Sequence, residues 1–429
     1  MKKLLMTSVV ALMPILVFCQ AGHIMQGIGA VNMSMGGAAT AQPVDINGPL
    51  QWNPAGISVF DKKIISFNAG LFFSAPEVSS TAPVPGGSMT GTTKDNRGAS
   101  VMPALAMVWG KKNSKNTFGV HAFGISGFGV TFPQSSNNPV TMPQSMGGFG
   151  KIQSDYQLLQ VGITYAYKIS SHFSIGFAPT FNYASLKLMP NPLSAPSQTL
   201  GYPVSDKATS FGIGGQVGIF YNSGKGIKLG ASYKSPQGFS NFDFKNTYLD
   251  GSSASNVKFR MDYPAIYSAG LGFSKSNVDL ALDYRFVNYA NTKGFEAKGW
   301  TPTASVAGFG WKNISVISAG LQFKGVKKLP LRAGYTYSSN PISSELAFFS
   351  VPATAVIKNA FQFGMGYEPN SRFSINLTYH HGSSSGSTSG PLLSPMMQES
   401  GNVYGAVPGS NISYKMTTDL VMLGISYSF

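Results

Sequence analysis

From about residue 60 onward, large apolar residues alternate with small or polar ones. Phe173, Ile175, Phe177, Phe181 and Tyr183 alternate with Ser174, Gly176, Ala178, Asn182 and Ala184. Leu159, Val161, Ile163, Tyr165 and Tyr167 alternate with Gln160, Gly162, Thr164 and Ala166. Val278, Leu280, Leu282, Tyr284 and Phe286 do the same against Asp279, Ala281, Asp283 and Arg285. A period of two places one set on one face of a strand, whereas a helix would scatter it. The second face, small or polar, suits a lumen better than a dry core. Fourteen such segments begin near Ile64, Val101, Phe118, Tyr156, Phe173, Phe211, Ile227, Ile266, Val278, Ser315, Leu331, Phe361, Phe373 and Tyr414. An even count suits a bacterial outer-membrane barrel.

The connections carry a second pattern. Short polar links fall at Gly110–Ser114 and around Ser170, Ser223, Ser276, Lys327 and Pro369. Long ones, such as 132–155, 234–262 and 381–413, lie between them. Short periplasmic turns alternating with long extracellular loops are the asymmetry of such barrels. The predicted fold is therefore all-β: a transmembrane, fourteen-stranded antiparallel barrel spanning residues 61–429.

Composition narrows the class. Only 11% of the 429 residues are charged, against about 25% in ordinary soluble chains. There are 50 glycines, and 43% of residues are hydrophobic, which argues against disorder. Mean hydropathy is only +0.04, and no stretch beyond the N-terminal region has the roughly 20 apolar residues of a membrane helix. In lipid, closure is then the way to pair every backbone group. The net charge of +15 is spread along the chain without a basic stripe, so no nucleic-acid partner is expected.

Lys2 and Lys3 precede an apolar run from Leu4 to Phe18, the pattern of a secretory leader, assigned to residues 1–19. Cys19 is the one cysteine and closes that leader, so the mature chain should hold no disulfide. Lipidation of Cys19 is disfavoured by the bulky Phe18 before it.

Residues 20–60 do not alternate. They are rich in small residues, including Met35–Ala41 (MGGAATA) and Trp52–Gly56 (WNPAG), and Asn53-Pro54 favours a turn. A compact segment ahead of a wide barrel reads as a plug, or hatch, because such a barrel otherwise leaves a pore. Met25, Met33 and Met35 there are candidates to line an adaptable hydrophobic pocket, with packing against the wall as the alternative.

Taken with residues 155–161 (DYQLLQV), 173–177 (FSIGF), 311–313 (WKN) and 426–429 (SYSF), these hatch motifs resemble the FadL/TodX-type transporters of long-chain fatty acids and hydrocarbons in the outer membrane. The resemblance covers essentially the whole mature chain, and the Asn53-Pro54-Ala55 element is its most specific part. It implies passive uptake of a hydrophobic ligand, caught by extracellular loops, held in an inner pocket and released sideways at a kink in the third strand. It also implies a Gram-negative-type outer membrane as location, no cofactor and no enzymatic activity. The partners it implies are surrounding lipid and the barrel-assembly machinery, with the protein a monomer.

Residues of the third strand fit that expectation. Gly124, Gly127 and Gly129 cluster there, and glycine within a strand often marks a bulge or bend. Lys312, whose parity with Ile314, Val316 and Ser318 is lumenal if the strand is regular, and Lys187 are the expected partners of a ligand carboxylate. Leu188-Met189-Pro190, where the family can place an arginine, puts acid selectivity in question. Arg285 and Arg332 also have lumenal parity, and pairing with Asp279 or Asp283 is their expected role. Tyr427 and Phe429 resemble the terminal aromatic signal for barrel insertion. His380 and His381 should point to opposite faces, so no metal site is expected. A barrel that binds an external partner and a general porin are the rival functions; the hatch motif disfavours both.

Overall fold

The computed structural model describes residues 22–429; the expected leader and Cys19 lie outside them. Fourteen strands form the wall. They are β1 (Lys63–Val84), β2 (Ala99–Trp109), β3 (Asn116–Phe132), β4 (Ile152–Lys168), β5 (Phe173–Met189), β6 (Ala208–Asn222) and β7 (Ile227–Lys234). They continue as β8 (Ala265–Lys275), β9 (Val278–Asn288), β10 (Ile314–Phe323), β11 (Leu331–Ser338), β12 (Asn359–Asn370), β13 (Phe373–Ser383) and β14 (Asn411–Ser428). Each pairs antiparallel with its chain neighbours, and β14 closes on β1 from Ile64 opposite Ser428 to Thr81 opposite Asn411. Closure leaves no sheet edge, which is what backbone in lipid requires.

The alternation now has a direction. Phe67, Ile163, Phe177, Ile213, Tyr267 and Leu423 are exposed on the outer face. Asn68, Gln160, Thr164, Asn182, Gln216 and Gln362 are buried on the inner one. A soluble protein would invert this. The pattern places the outer band in hydrocarbon, where strand crossing needs an apolar belt.

The lumen is filled by residues 22–60. They include two short helices, α1 (Ala30–Ser34) and α2 (Asn47–Trp52), and a 3-10 turn at Pro54–Val59. Pro54 starts that turn, where its missing N–H costs nothing, and Asn53 caps it by accepting from Ala55 N–H at 3.1 Å. The wall makes room for this hatch with inward glycines. A Cβ on Gly176, Gly218 or Gly230 would overlap Ala55, Asn53 or Thr40, and one on Gly320 or Gly334 would overlap Met35 or Gly36. Close hatch-to-wall approach thus accounts for glycine at these wall positions.

Polar wall side chains then fix the hatch. Asp283 Oδ2 accepts from the N–H groups of Ala39 and Thr40, both at 2.9 Å, and from Thr40 Oγ1 at 2.7 Å. Arg285 pairs with the same oxygen at 2.7 Å and stacks over the Trp52 ring at 3.8 Å. Asn53 Nδ2 donates to Thr40 O (2.7 Å) and to Ile219 O on β6 (2.9 Å). The expected pairing of Arg285 with Asp283 is present. Arg332 instead donates to Gln322 and Asn376, while Asp279 is bridged by Lys324 at 2.8 Å.

Candidate functional site

A local departure from regular pairing lies between β2 and β3. Their ladder runs from Trp109 opposite Phe118 to Ala104 opposite Phe123 and stops. The next position is Pro103, which has no N–H to donate and faces Gly124; a Cβ on Gly124 would lie 3.6 Å from Pro103 Cδ. Immediately beyond, β3 shifts register against β4 between Gly124 and Ser126, so Ile125 is an extra residue of the bulge type.

Backbone groups freed by this shift are taken up by the start of the hatch. Ile24 forms a bridge with Ser126, Met25 N–H donates to Ile125 O at 3.0 Å, and Gly127 N–H donates to His23 O at 3.2 Å. Ser126 Oγ donates to His23 O at 2.8 Å. Higher up, the Arg97 side chain covers Gly129, where a Cβ would overlap its guanidinium, and pairs with Asp155 at 2.6 Å. These contacts pair backbone groups of Ile125 and Gly127 with the hatch instead of leaving them bare beside lipid.

Behind the gap is a cavity of about 320 Å³, within the range of small-molecule sites. Inside the barrel it is lined by Met25, Phe128, Tyr156 and Leu158. At its mouth stand Val101 and Leu159, both exposed on the outer wall. The cavity thus joins lumen to lipid-facing surface through the interrupted ladder. Arg97, held by Asp155, is the charged residue of its lining.

Next to the cavity, His23 is packed among six rings: Phe128, Tyr156, Tyr263, Tyr289, Phe295 and Trp311, with centroids 5.0–6.4 Å away. Its Nδ1 bonds Tyr289 OH at 2.7 Å. Burial pulls the His23 pKa down to about 3, because a charged imidazole would lose its water there. Among the extracellular loops a second, apolar depression is lined by Val140, Phe149, Pro192, Trp300, Phe348 and Phe349. Those aromatic loop residues carry no periodic signal, so the strand pattern did not point to them.

The residues singled out from sequence fall in separate places. Met25 lines the cavity; Met33 and Met35 are buried in hatch packing, Met35 against Gly320. Gly124, Gly127 and Gly129 all line the cavity mouth. Lys187 is half-buried opposite Asp155, on the β5 parity of the outward Phe181 and Tyr183. Lys312 is exposed and away from the cavity lining. The lumenal parity expected for it does not hold, because β10 starts only at Ile314; before that, Trp311 bridges to Ile342 and is the buried member. Tyr427 and Phe429 are exposed at the periplasmic end, with ring centroids 5.0 Å apart. His380 is buried and His381, on the other face, bonds Asp419 at 2.7 Å. Among the described residues no group of three metal-ligating side chains occurs.

A closed fourteen-stranded barrel with a lumenal hatch defines a channel of the bacterial outer membrane. The chain belongs to the outer membrane protein transport family (OMPP1/FadL/TodX), whose model matches residues 20–427. Its fold is similar to that of the Pseudomonas putida toluene transporter TodX, at 18% identity and TM-score 0.67, over 94% of this chain and 99% of that one. A Pseudomonas aeruginosa FadL homologue is similar at 13% identity and TM-score 0.71, over 95% and 100%. The Ralstonia pickettii toluene transporter TbuX gives 16% identity and TM-score 0.62, over 94% and 99%. No curated protein matches in sequence.

Proposed function

We propose that the protein admits hydrophobic compounds passively and releases them sideways into the outer membrane. The observation that carries this reading is the cavity that joins Met25 and Tyr156 inside the barrel to Val101 and Leu159 on its outer wall, through the break at Pro103 and Gly124. The loop depression around Trp300 and Phe348 is the capture surface. A ligand that reaches the cavity faces water below the hatch and hydrocarbon beyond the gap. Transfer to hydrocarbon favours the lateral way by about 0.8 kcal/mol per CH₂. Long-chain acids and aromatic hydrocarbons, such as the toluene named for TodX and TbuX, both satisfy an apolar lining.

The rival is a hydrophilic pore. It disagrees with a lumen closed by residues 22–60 and held by Asp283 and Asn53. The test is uptake by cells with and without the protein, using labelled toluene, a labelled long-chain fatty acid and a labelled disaccharide. The proposal expects faster entry of one or both hydrophobic probes and none of the sugar. Entry of the sugar alone would establish the pore.

A further inference from the structure

On the outer side of the wall, three rows of residues cross β4, β5 and β6 towards their extracellular ends. Leu159, Tyr183 and Phe211 stand side by side and exposed, at the top of the apolar belt. Gln157, Ser185 and Thr209 form the next row on the same parity. Beyond it Asp155 faces Lys187, and Lys207 stands one residue ahead of β6, in step with Thr209 and Phe211. The charged row is four residues past the apolar one, roughly 13 Å along the strands. An outer face that turns from apolar to polar to charged over that distance marks the passage from hydrocarbon to lipid head groups.

Cations outnumber carboxylates in the charged row. Asp155 is paired with Arg97 through Oδ1 at 2.6 Å and with Lys207 through Oδ2 at 3.5 Å. Lys187, directly opposite Asp155, forms no ion pair among the described residues. Asp95 lies within electrostatic range of Arg97, and its carboxylate already accepts from the backbone N–H groups of Arg97 and Thr131. Asp206 and Lys245, joined through their backbones, add one charge of each sign. Arg97, Lys187 and Lys207 thus share two carboxylates, and Lys207 is 48% exposed, so the cluster is open to a further anion. It also borders the gap: Arg97 lines the same cavity as Gln157, Leu159, Tyr183 and Ser185. The apolar mouth ends at a cationic rim.

We propose that Arg97, Lys187 and Lys207 hold the phosphate of an outer-leaflet lipid, whose acyl chains descend the outer wall along Leu159, Tyr183 and Phe211 beside the gap. A phosphate monoester offers three acceptor oxygens, one for a spare donor of each side chain. Such bonds are charge-assisted, and basic clusters at head-group depth are where anionic lipid is recognised. The apolar row below suits hydrocarbon chains rather than water, which selects a lipid over a free anion. A lipid held there is a fixed neighbour of the exit. The site lies outside the wall and does not depend on which compound the lumen carries.

The test titrates purified barrel in detergent with dilauroyl phosphatidic acid, dilauroylglycerol and inorganic phosphate, read by native mass spectrometry. Wild type is expected to bind the phosphatidic acid about tenfold or more tightly than the diacylglycerol, which has the same chains. Lys187→Gln combined with Lys207→Gln should abolish that preference. Lys94→Gln combined with Lys415→Gln, which removes two exposed lysines paired with Glu77, should keep it. Heat-modifiable gel migration confirms folded barrel. Should the first combination not fold, Lys207→Gln alone is expected to cut the preference about threefold. Equal binding of the two lipids by wild type overturns the assignment. So does a preference that survives loss of the Lys187 and Lys207 charges, or one lost equally with Lys94 and Lys415. Displacement of bound phosphatidic acid by an equal concentration of inorganic phosphate would overturn it too, by marking a free-anion site.

Discussion

His23 of the hatch and Ser126 of β3 are tied together: Ser126 Oγ donates to His23 O at 2.8 Å, at the point where the wall leaves regular register. The hatch and the irregular wall strand are one unit there. What moves His23 must disturb the bulge, and the reverse also holds.

Acidification should loosen this unit. The His23 pKa falls from the ordinary 6.5 to about 3 in the folded protein because of burial. Below pH 6.5 the released imidazole binds a proton that the docked one does not, so docking weakens as pH falls towards 3. Between pH 7 and pH 4.5 the loss is about 2–3 kcal/mol. Hydrogen exchange of residues 22–26 should accelerate over that interval, and His23→Phe should remove the pH dependence arising from this group.

Removing the hatch anchor should cost more. Asp283→Asn leaves Arg285 buried without its carboxylate, a change worth about 3–5 kcal/mol. Proteolysis within residues 22–60 should become detectable under conditions that leave wild type intact, while the barrel still migrates as folded. Unchanged resistance would show that Asp283 does not hold the hatch.

Two glycines of β6 provide a contrast within one strand, Gly218 facing the hatch and Gly215 on the outward parity of Ile213 and Val217. Gly218→Val forces side-chain atoms into Asn53, whereas the first heavy atom a Cβ on Gly215 meets is 3.5 Å away. Thermal stability should fall for Gly218→Val by about 1–3 kcal/mol or more and stay near wild type for Gly215→Val. Equal behaviour of the two would remove close hatch approach as the reason for the glycine.

Phe429 is proposed to belong to the insertion signal, with Tyr427 on the same outer face. Deleting Phe429 should lower the amount of folded barrel in the outer membrane severalfold, read by heat-modifiable migration of membrane fractions. Undiminished levels would count against that role.

The strands were legible because lipid outside and a small or polar, hatch-packed surface inside impose a period of two on nearly every segment. All fourteen expected starts fall within or beside a wall strand. The glycines at 124, 127 and 129 marked where β3 departs from regularity, but Pro103, which ends the facing ladder, was legible too and went unread. Lys312 was misplaced because parity was carried across the start of β10 into backbone that is not strand. Three of the rings around His23, Tyr289, Phe295 and Trp311, come from the connection between β9 and β10, and they meet Phe128 of β3, Tyr156 of β4 and Tyr263 only through tertiary packing.

The central claim is that ligand leaves through the break between Pro103 and Gly124. A barrel carrying Pro103→Cys with Gly124→Cys can close that break reversibly, since a Cβ on Gly124 would lie against Pro103. The decisive measurement is uptake of a labelled hydrophobic compound by cells with equal amounts of folded barrel, cross-linked or reduced. Lateral release predicts that cross-linking abolishes uptake and that reduction restores it. Full uptake through a quantitatively cross-linked barrel would contradict it and direct the ligand past the hatch into the periplasm.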